Sequence, residues 1–148
     1  MTNNDAFAVL VVDDNEDDLM AIRRTWERCG ISHPLRIVQS GEECLDYLYK
    51  RGAYETPGTA PRPGLILLDI KMPRVNGLDV LKQIREDEHL RRLPVVVLTT
   101  SRATDDCFDS YDLGSNAYFV KPIGFREFSE CITAIVRFWE LAIIPSEK

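Results

Sequence analysis

Asp13, Asp14, Asp69, Thr99, Thr100 and Lys121 are the residues whose types and settings could do chemistry together. Each follows a short apolar run: VLVV before the Asp13-Asp14 pair, LILL before Asp69, VVVL before the two threonines, and AYFV before Lys121. A carboxylate at the end of a buried strand is costly unless it finds a partner. For a carboxylate cluster, a hard cation held by oxygen ligands is the least costly one. Carboxylates that hold magnesium, a hydroxyl that donates to a phosphoryl oxygen and an ammonium that neutralises the remaining charge make a coherent set for phosphoryl chemistry. One carboxylate must then serve as nucleophile. Asp69 is best placed, because it stands alone at the end of a central strand.

Those residues need a sheet whose strands all deliver their carboxyl ends to one edge. Apolar runs of this length, bounded by polar residues, predict strands covered on both faces. Between them lie helical patterns. Leu19, Ile22, Trp26 and Cys29 form one stripe closed by Gly30. A second strand spans 34–40, and a helix follows from about Glu42 with Cys44, Leu45 and Leu48 inward. Leu78, Leu81 and Ile84 mark a third helix. Thr104, Cys107, Phe108 and Tyr111 predict the inner face of a fourth, and a last helix runs from about Phe125 to Leu141. Residues 51–64, RGAYETPGTAPRPG, carry three prolines and three glycines and predict an extended surface loop. Five strands alternating with five helices give an α/β domain with a parallel sheet, in which sites form beyond the carboxyl ends of the strands.

With 148 residues the chain is expected to form one domain, with a core over about 7–141, a short tail and no output domain. Its net charge of −6, without a basic stripe, argues against an unaided nucleic-acid surface. No apolar run approaches the ~20 residues of a membrane-spanning helix, and the start lacks signal-peptide character, so a cytoplasmic location is expected. Cys29, Cys44, Cys107 and Cys131 fall singly and predict buried thiols rather than disulfides or a metal site. His33 and His89 sit beside loop signals and predict surface residues. Glu16, Asp17 and Asp18 read as the acidic first turn that a helix dipole favours.

VVDDNEDD, LLDIKMPRVNG, VVVLTTS and NAYFVKP, in this order, resemble the response regulator receiver domains of two-component signalling over about residues 7–141. The resemblance implies a flavodoxin-like fold of sheet order 2-1-3-4-5, Mg2+ as cofactor and a histidine kinase as partner. Asp69 would be the phosphoacceptor, so the protein would accept phosphoryl groups stoichiometrically rather than turn over as an enzyme. Asp14 would ligate the metal directly, Asp13 largely through water, and the main-chain carbonyl of Lys71 would complete the protein ligands. Thr99 and Lys121 would bind phosphoryl oxygens, and the bond from Lys121 to Pro122 would be cis. Thr99 and Tyr118 would form the coupled switch. Lys71 and Ser101 would tune the phosphoryl lifetime. More narrowly, the proline-rich loop, LRRLPVVVLTTS, SYDLGSNAYFVKP and Phe138-Trp139 resemble single-domain regulators that partner phytochrome-type histidine kinases.

The last helix carries two neighbouring apolar stripes, Phe128, Ile132, Ile135 and Trp139 beside Cys131, Ala134, Phe138 and Leu141. So wide an arc predicts a second contact surface, a homodimer face including Phe138, Trp139 and Leu141. Rival functions fit less well. An aspartyl-phosphate phosphatase would want an acid where Lys71 stands, and a cap over its substrate. A flavin carrier would want a phosphate-cradling loop where DDNED puts negative charge. A receiver that is never phosphorylated conflicts with the intact acidic set.

Overall fold

The computed structural model describes residues 6–146. β1 (Ala8–Val12), β2 (Leu35–Val38), β3 (Pro63–Leu68), β4 (Val95–Thr99) and β5 (Ala117–Val120) form one sheet of order β2-β1-β3-β4-β5. All its neighbouring strands pair in parallel. The expected flavodoxin-like topology is therefore the observed one. α1 (Glu16–Arg28) and α5 (Phe125–Leu141) contact each other on one face of the sheet, and α2 (Gly41–Tyr49) and α3 (Gly77–Glu86) do so on the other. α4 (Thr104–Asp112) follows β4.

Each central strand feeds two cores. Leu10 and Val12 of β1 join Ile66 and Leu68 of β3 beneath α2 and α3, while Val9 and Val11 join Leu65 and Leu67 beneath α1 and α5. A period-2 backbone with helices on both faces demands apolar residues at every position, which is why these strands read as unbroken runs.

Local capping sets where the helices begin. Asn15 Oδ1 accepts from the Asp18 amide, Ser40 Oγ from Glu43 and Asn76 Oδ1 from Asp79, each meeting a donor that the helix leaves unpaired. Close packing requires glycine at position 77. A Cβ there would lie 2.4 Å from the Asp69 carbonyl oxygen and 2.6 Å from Ile70 Cα, so α3 can start this close to the end of β3 only without a side chain.

Four expectations need correction. His33 is buried: its ring stacks on Phe7 at 4.0 Å, Nδ1 accepts from the Phe7 amide, and its carbonyl accepts from Trp26 Nε1 at 2.8 Å. Only Cys44 of the cysteines is buried; Cys29 caps α1 and is exposed, although all four thiols are free. The predicted stripe of α4 faces outward, with Phe108 65% and Tyr111 51% exposed, and the one buried residue of that helix is Ser110. A buried hydroxyl pair, Ser110 and Ser115 at 2.6 Å, holds α4 where apolar packing was expected. Finally, the proline-rich loop does lie at the surface over 51–59, but it is tied down and ends earlier than expected. Tyr47 Oη donates to the Pro61 carbonyl and Tyr54 Oη to Glu43, both at 2.7 Å, and Pro63 already begins β3.

Candidate phosphoryl-transfer site

Parallel pairing runs one residue past the strand ends and fixes the backbone of the site. The Asp13 amide donates to Val38 O, Asp69 to Val12 O and Lys121 to Thr99 O. Asp13, Asp69 and Lys121 are thereby set along one edge, with Thr99 of β4 between the last two, and all four are buried.

Lys121 Nζ is the centre of the arrangement. It lies 2.7 Å from Asp13 Oδ2, 3.1 Å from Asp69 Oδ2 and 2.7 Å from Asp18 Oδ2. An ammonium has three donors, and each has a carboxylate. The carboxylates are held from behind: Asp13 Oδ1 accepts from the Asn15 amide at 2.9 Å and Asp69 Oδ1 from the Lys71 amide at 3.0 Å.

Electrostatics follow from the burial. Removal from water pushes the Asp13 carboxyl up to about 6, against the downward pull of the Lys121 ammonium. Burial also works against the charge of Lys121, but Asp13, Asp69 and Asp18 outweigh it and hold the ammonium above its ordinary range.

Asp13, Asp14 and Asp69 each offer a carboxylate oxygen within 4.8 Å of the others. Asp14 is exposed at the rim while the other two are buried. One ammonium does not neutralise so many acids, and the donors are all hard oxygens, so the set fits a divalent cation of the magnesium or manganese kind.

The rest of the predicted residues divide. Thr99 is fully buried, and its Oγ1 accepts from the Ser101 amide at 3.3 Å. Thr100 turns to solvent. Tyr118, half-buried on β5, donates through Oη to the Ser101 carbonyl at 2.9 Å and so ties β5 to the segment after β4. The cis bond expected before Pro122 is not found. No described peptide bond is cis. The trans isomer is intrinsically preferred by about 0.5–1 kcal/mol, and Lys121 already reaches its three carboxylates with that backbone.

Two acids were missed. Asp18 belongs to the site as well as to the first turn of α1; its carboxylate crosses to Lys121, 103 positions along the chain. Asp106, in the first turn of α4, bonds the Ser101 hydroxyl and lies 3.0 Å from Lys71 Nζ. The two contacts hold its carboxyl below the usual range, the Ser101 hydrogen bond most strongly. For Asp18 a usable signal existed, an acid in the first turn of a helix that starts at the site. For Asp106 there was none.

The family model for the response regulator receiver domain matches residues 9–133. The probable methanogenesis regulatory protein FilR2 of Methanothrix harundinacea is 37% identical over 91% of this chain and 84% of its own length. Response regulator Rcp1 of Synechocystis sp. is 34% identical over 97% of both chains. The Mn2+-bound crystal structure of Rcp1 superposes with a TM-score of 0.86 over 95% of this chain and 99% of that one, at 35% identity. The phosphorylated cyanobacterial phytochrome response regulator RcpA gives 0.88 over 96% and 100%, at 36% identity. The strand-end acids, the buried lysine and the fold thus meet in one conclusion: the chain belongs to the response regulator receiver domain family.

Proposed function

We propose that this response regulator accepts one phosphoryl group on Asp69 from a histidine kinase, in a reaction requiring Mg2+, and loses it again by self-catalysed hydrolysis. The observation that carries the reading is the setting of Asp69: a 5% exposed carboxylate, 3.1 Å from the Lys121 ammonium and grouped with Asp13 and Asp14.

Asp13, Asp14, Asp69 and the main-chain carbonyl of Lys71 are the residues that would hold Mg2+. When bound, it supplies positive charge for the oxygens of the group in transfer. One Asp69 carboxylate oxygen attacks phosphorus; the new O–P bond forms as the N–P bond of a phosphohistidine breaks, and the imidazole leaves with the electron pair. Lys121 and Thr99 bind the phosphoryl oxygens. Water later cleaves the acyl phosphate, releasing inorganic phosphate and restoring the carboxylate. The protein is then a stoichiometric acceptor, reset after each signal.

The message leaves through Thr99 and Tyr118. Both already meet at Ser101, through its amide and its carbonyl, so a hydroxyl drawn toward the phosphoryl group changes what the ring can bond. The output face is α4, β5 and α5, and its use as a homodimer surface is supported by the exposure of Phe138 and Leu141, 62% each. Trp139 is half-buried behind them, with its ring 5.1 Å from Phe138. A kinase of the phytochrome type is supported by the likeness to Rcp1 and RcpA across nearly the whole chain. A cytoplasmic location accords with the absence, among the described residues, of any helix long and apolar enough to cross a membrane. The net charge of −6 supports protein rather than nucleic-acid partners.

Incubation with Mg2+ and acetyl phosphate is expected to add one base-labile phosphoryl group, seen by intact mass, and none in Asp69→Asn or with a chelator. Undiminished labelling of Asp69→Asn would move the acceptor elsewhere. Phosphotransfer profiling against histidine kinases with and without phytochrome modules tests the choice of partner.

A further inference from the structure

Beside the phosphoryl-transfer site, a second charged group spans two loops. The Lys71 ammonium, just past β3, lies 3.0 Å from Asp106 Oδ2 in the first turn of α4. The same carboxylate oxygen accepts from the Ser101 hydroxyl, and Ser101 Oγ accepts in turn from the Ala103 amide at 3.2 Å. We propose that Asp106 is a positioning residue that latches α4 to the site through Lys71, and that a phosphoryl group on Asp69 draws the Lys71 ammonium away and frees the helix. The inference rests on Asp69 being the phosphoacceptor.

Three observations carry it. First, the N-terminal end of α4 has little else to hold it, since the buried Ser110–Ser115 pair grips the other end. Its N-cap, Ala103, has no side chain to bond the first-turn amides, and Ser110 is the one buried residue along its length. The Ser101–Asp106–Lys71 chain ties this end down through the Asp106 carboxylate and the Ala103 amide instead. Second, Lys71 leaves the backbone beside the reacting carboxylate, because its own amide donates to Asp69 Oδ1 at 3.0 Å. Its side chain is 56% exposed and borders a cavity of about 280 Å³ with Met72, Asn76 and Leu78, so the ammonium has room to change partners. Third, the competition is unequal. A phosphoryl group brings about two negative charges and three acceptor oxygens, whereas Asp106 offers one charge already shared with Ser101. Lysine is a flexible point charge that follows the larger field.

Ser101 is also the acceptor for Tyr118 Oη, so release of Asp106 loosens the segment on which the strand-five ring rests. α4 then gains freedom from two sides of one residue.

Hydrogen exchange on the full chain, with intact mass taken in parallel, tests the latch. In the wild type, Mg2+ and acetyl phosphate should add one phosphoryl group and speed exchange of the 104–112 amides about threefold, the scale of a partly exposed ion pair. Asp106→Asn and Lys71→Ala should show that faster exchange without the phosphodonor, and Asp106→Asn should gain little more when phosphorylated. Wild-type exchange rates in unphosphorylated Asp106→Asn would overturn the latch. So would a phosphorylated wild type whose 104–112 exchange is unchanged. If the wild type takes up no phosphoryl group, it is the Asp69 reading that fails, and fast exchange in Asp106→Asn would then mark a structural tie without a trigger.

Discussion

Asp18 Oδ2 and Asp13 Oδ2 lie at the same 2.7 Å from Lys121 Nζ, yet one belongs to a buried strand end and the other to the half-exposed first turn of α1. Of the three carboxylates on this ammonium, Asp18 is the one outside the metal-compatible group. It would keep Lys121 in place when Asp13 and Asp69 turn to a cation. Asp18→Ala removes both this charge-assisted bond and a helix-dipole acid; Asp17→Ala removes only an exposed acid of the same turn. Asp18→Ala is expected to cost about 1 kcal/mol more than Asp17→Ala in urea denaturation. Equal costs would reduce Asp18 to the dipole acid that its sequence setting suggests.

Asp13 sets a pH dependence. Its carboxyl is raised by burial to about 6 from an ordinary 3.8, so without metal the native state holds a proton that the unfolded chain has released. The sign follows: between about pH 4 and pH 6 this group's contribution to stability declines as pH rises, by up to ~1.4 kcal/mol per unit. The contribution is fully present below the lower value and gone above the higher one. A divalent cation reverses the preference, because it needs the carboxylate. Metal-free protein should therefore lose stability across this window relative to Asp13→Asn, and Mg2+ should abolish the difference. Denaturation midpoints of the two proteins at pH 4.5, 5.5 and 6.5, with and without Mg2+, measure it. A wild-type decline no steeper than that of Asp13→Asn would place the proton elsewhere.

Much of this site was legible because its parts are strand ends. An apolar run followed by Asp13, Asp69, Thr99 or Lys121 states both the element and the edge at which the side chain emerges. The misreadings concern contacts that periodicity does not encode, most of them between segments far apart in sequence. Periodicity finds a stripe on α4 but cannot say which way it faces: Ser110, bonded to Ser115, is the buried side, and Phe108 and Tyr111 face outward. His33, a loop residue, looked like a surface one, yet Phe7 stacks on it from 26 positions away. Asp106 resembles any acid near a helix start; only the fold brings Lys71 to it.

Gly77 tests how tightly α3 must approach the phosphoacceptor strand. The added methyl of Gly77→Ala would meet the Asp69 carbonyl oxygen at 2.4 Å and backbone Ile70 Cα at 2.6 Å, neither of which can swing aside as a flexible side chain would. Either α3 or the Asp69 backbone has to move, at a cost on the order of 1–3 kcal/mol. Since Asp69 Oδ1 is already fixed by the Lys71 amide, displacement of this backbone should also slow labelling by acetyl phosphate. Gly30→Ala is the control: nothing lies within 4 Å of its added methyl, and its positive φ gives a comparable strain remote from the site. Labelling slowed equally in both variants would disconnect the α3 approach from the chemistry.

The outer stripe of α5 separates core from interface. Phe128, Ile132, Ile135 and Val136 are buried against the sheet, so replacing them would unfold the protein before it informed on assembly. Phe138 and Leu141 sit one helical turn apart at 62% exposure, with Ile143 beyond them at 64%, and truncating them opens no cavity. Such a patch in water favours a partner, each large side chain contributing roughly 1.5–3 kcal/mol when fully covered. Phe138→Asp with Leu141→Ser should therefore leave the denaturation midpoint near the wild type's while shifting sedimentation from dimer to monomer at micromolar concentration. Trp139→Ala, which removes a half-buried ring packed against the core cluster, should instead lower the midpoint. A wild type that sediments as a monomer both with and without phosphorylation would remove the homodimer and leave the stripe for a different protein.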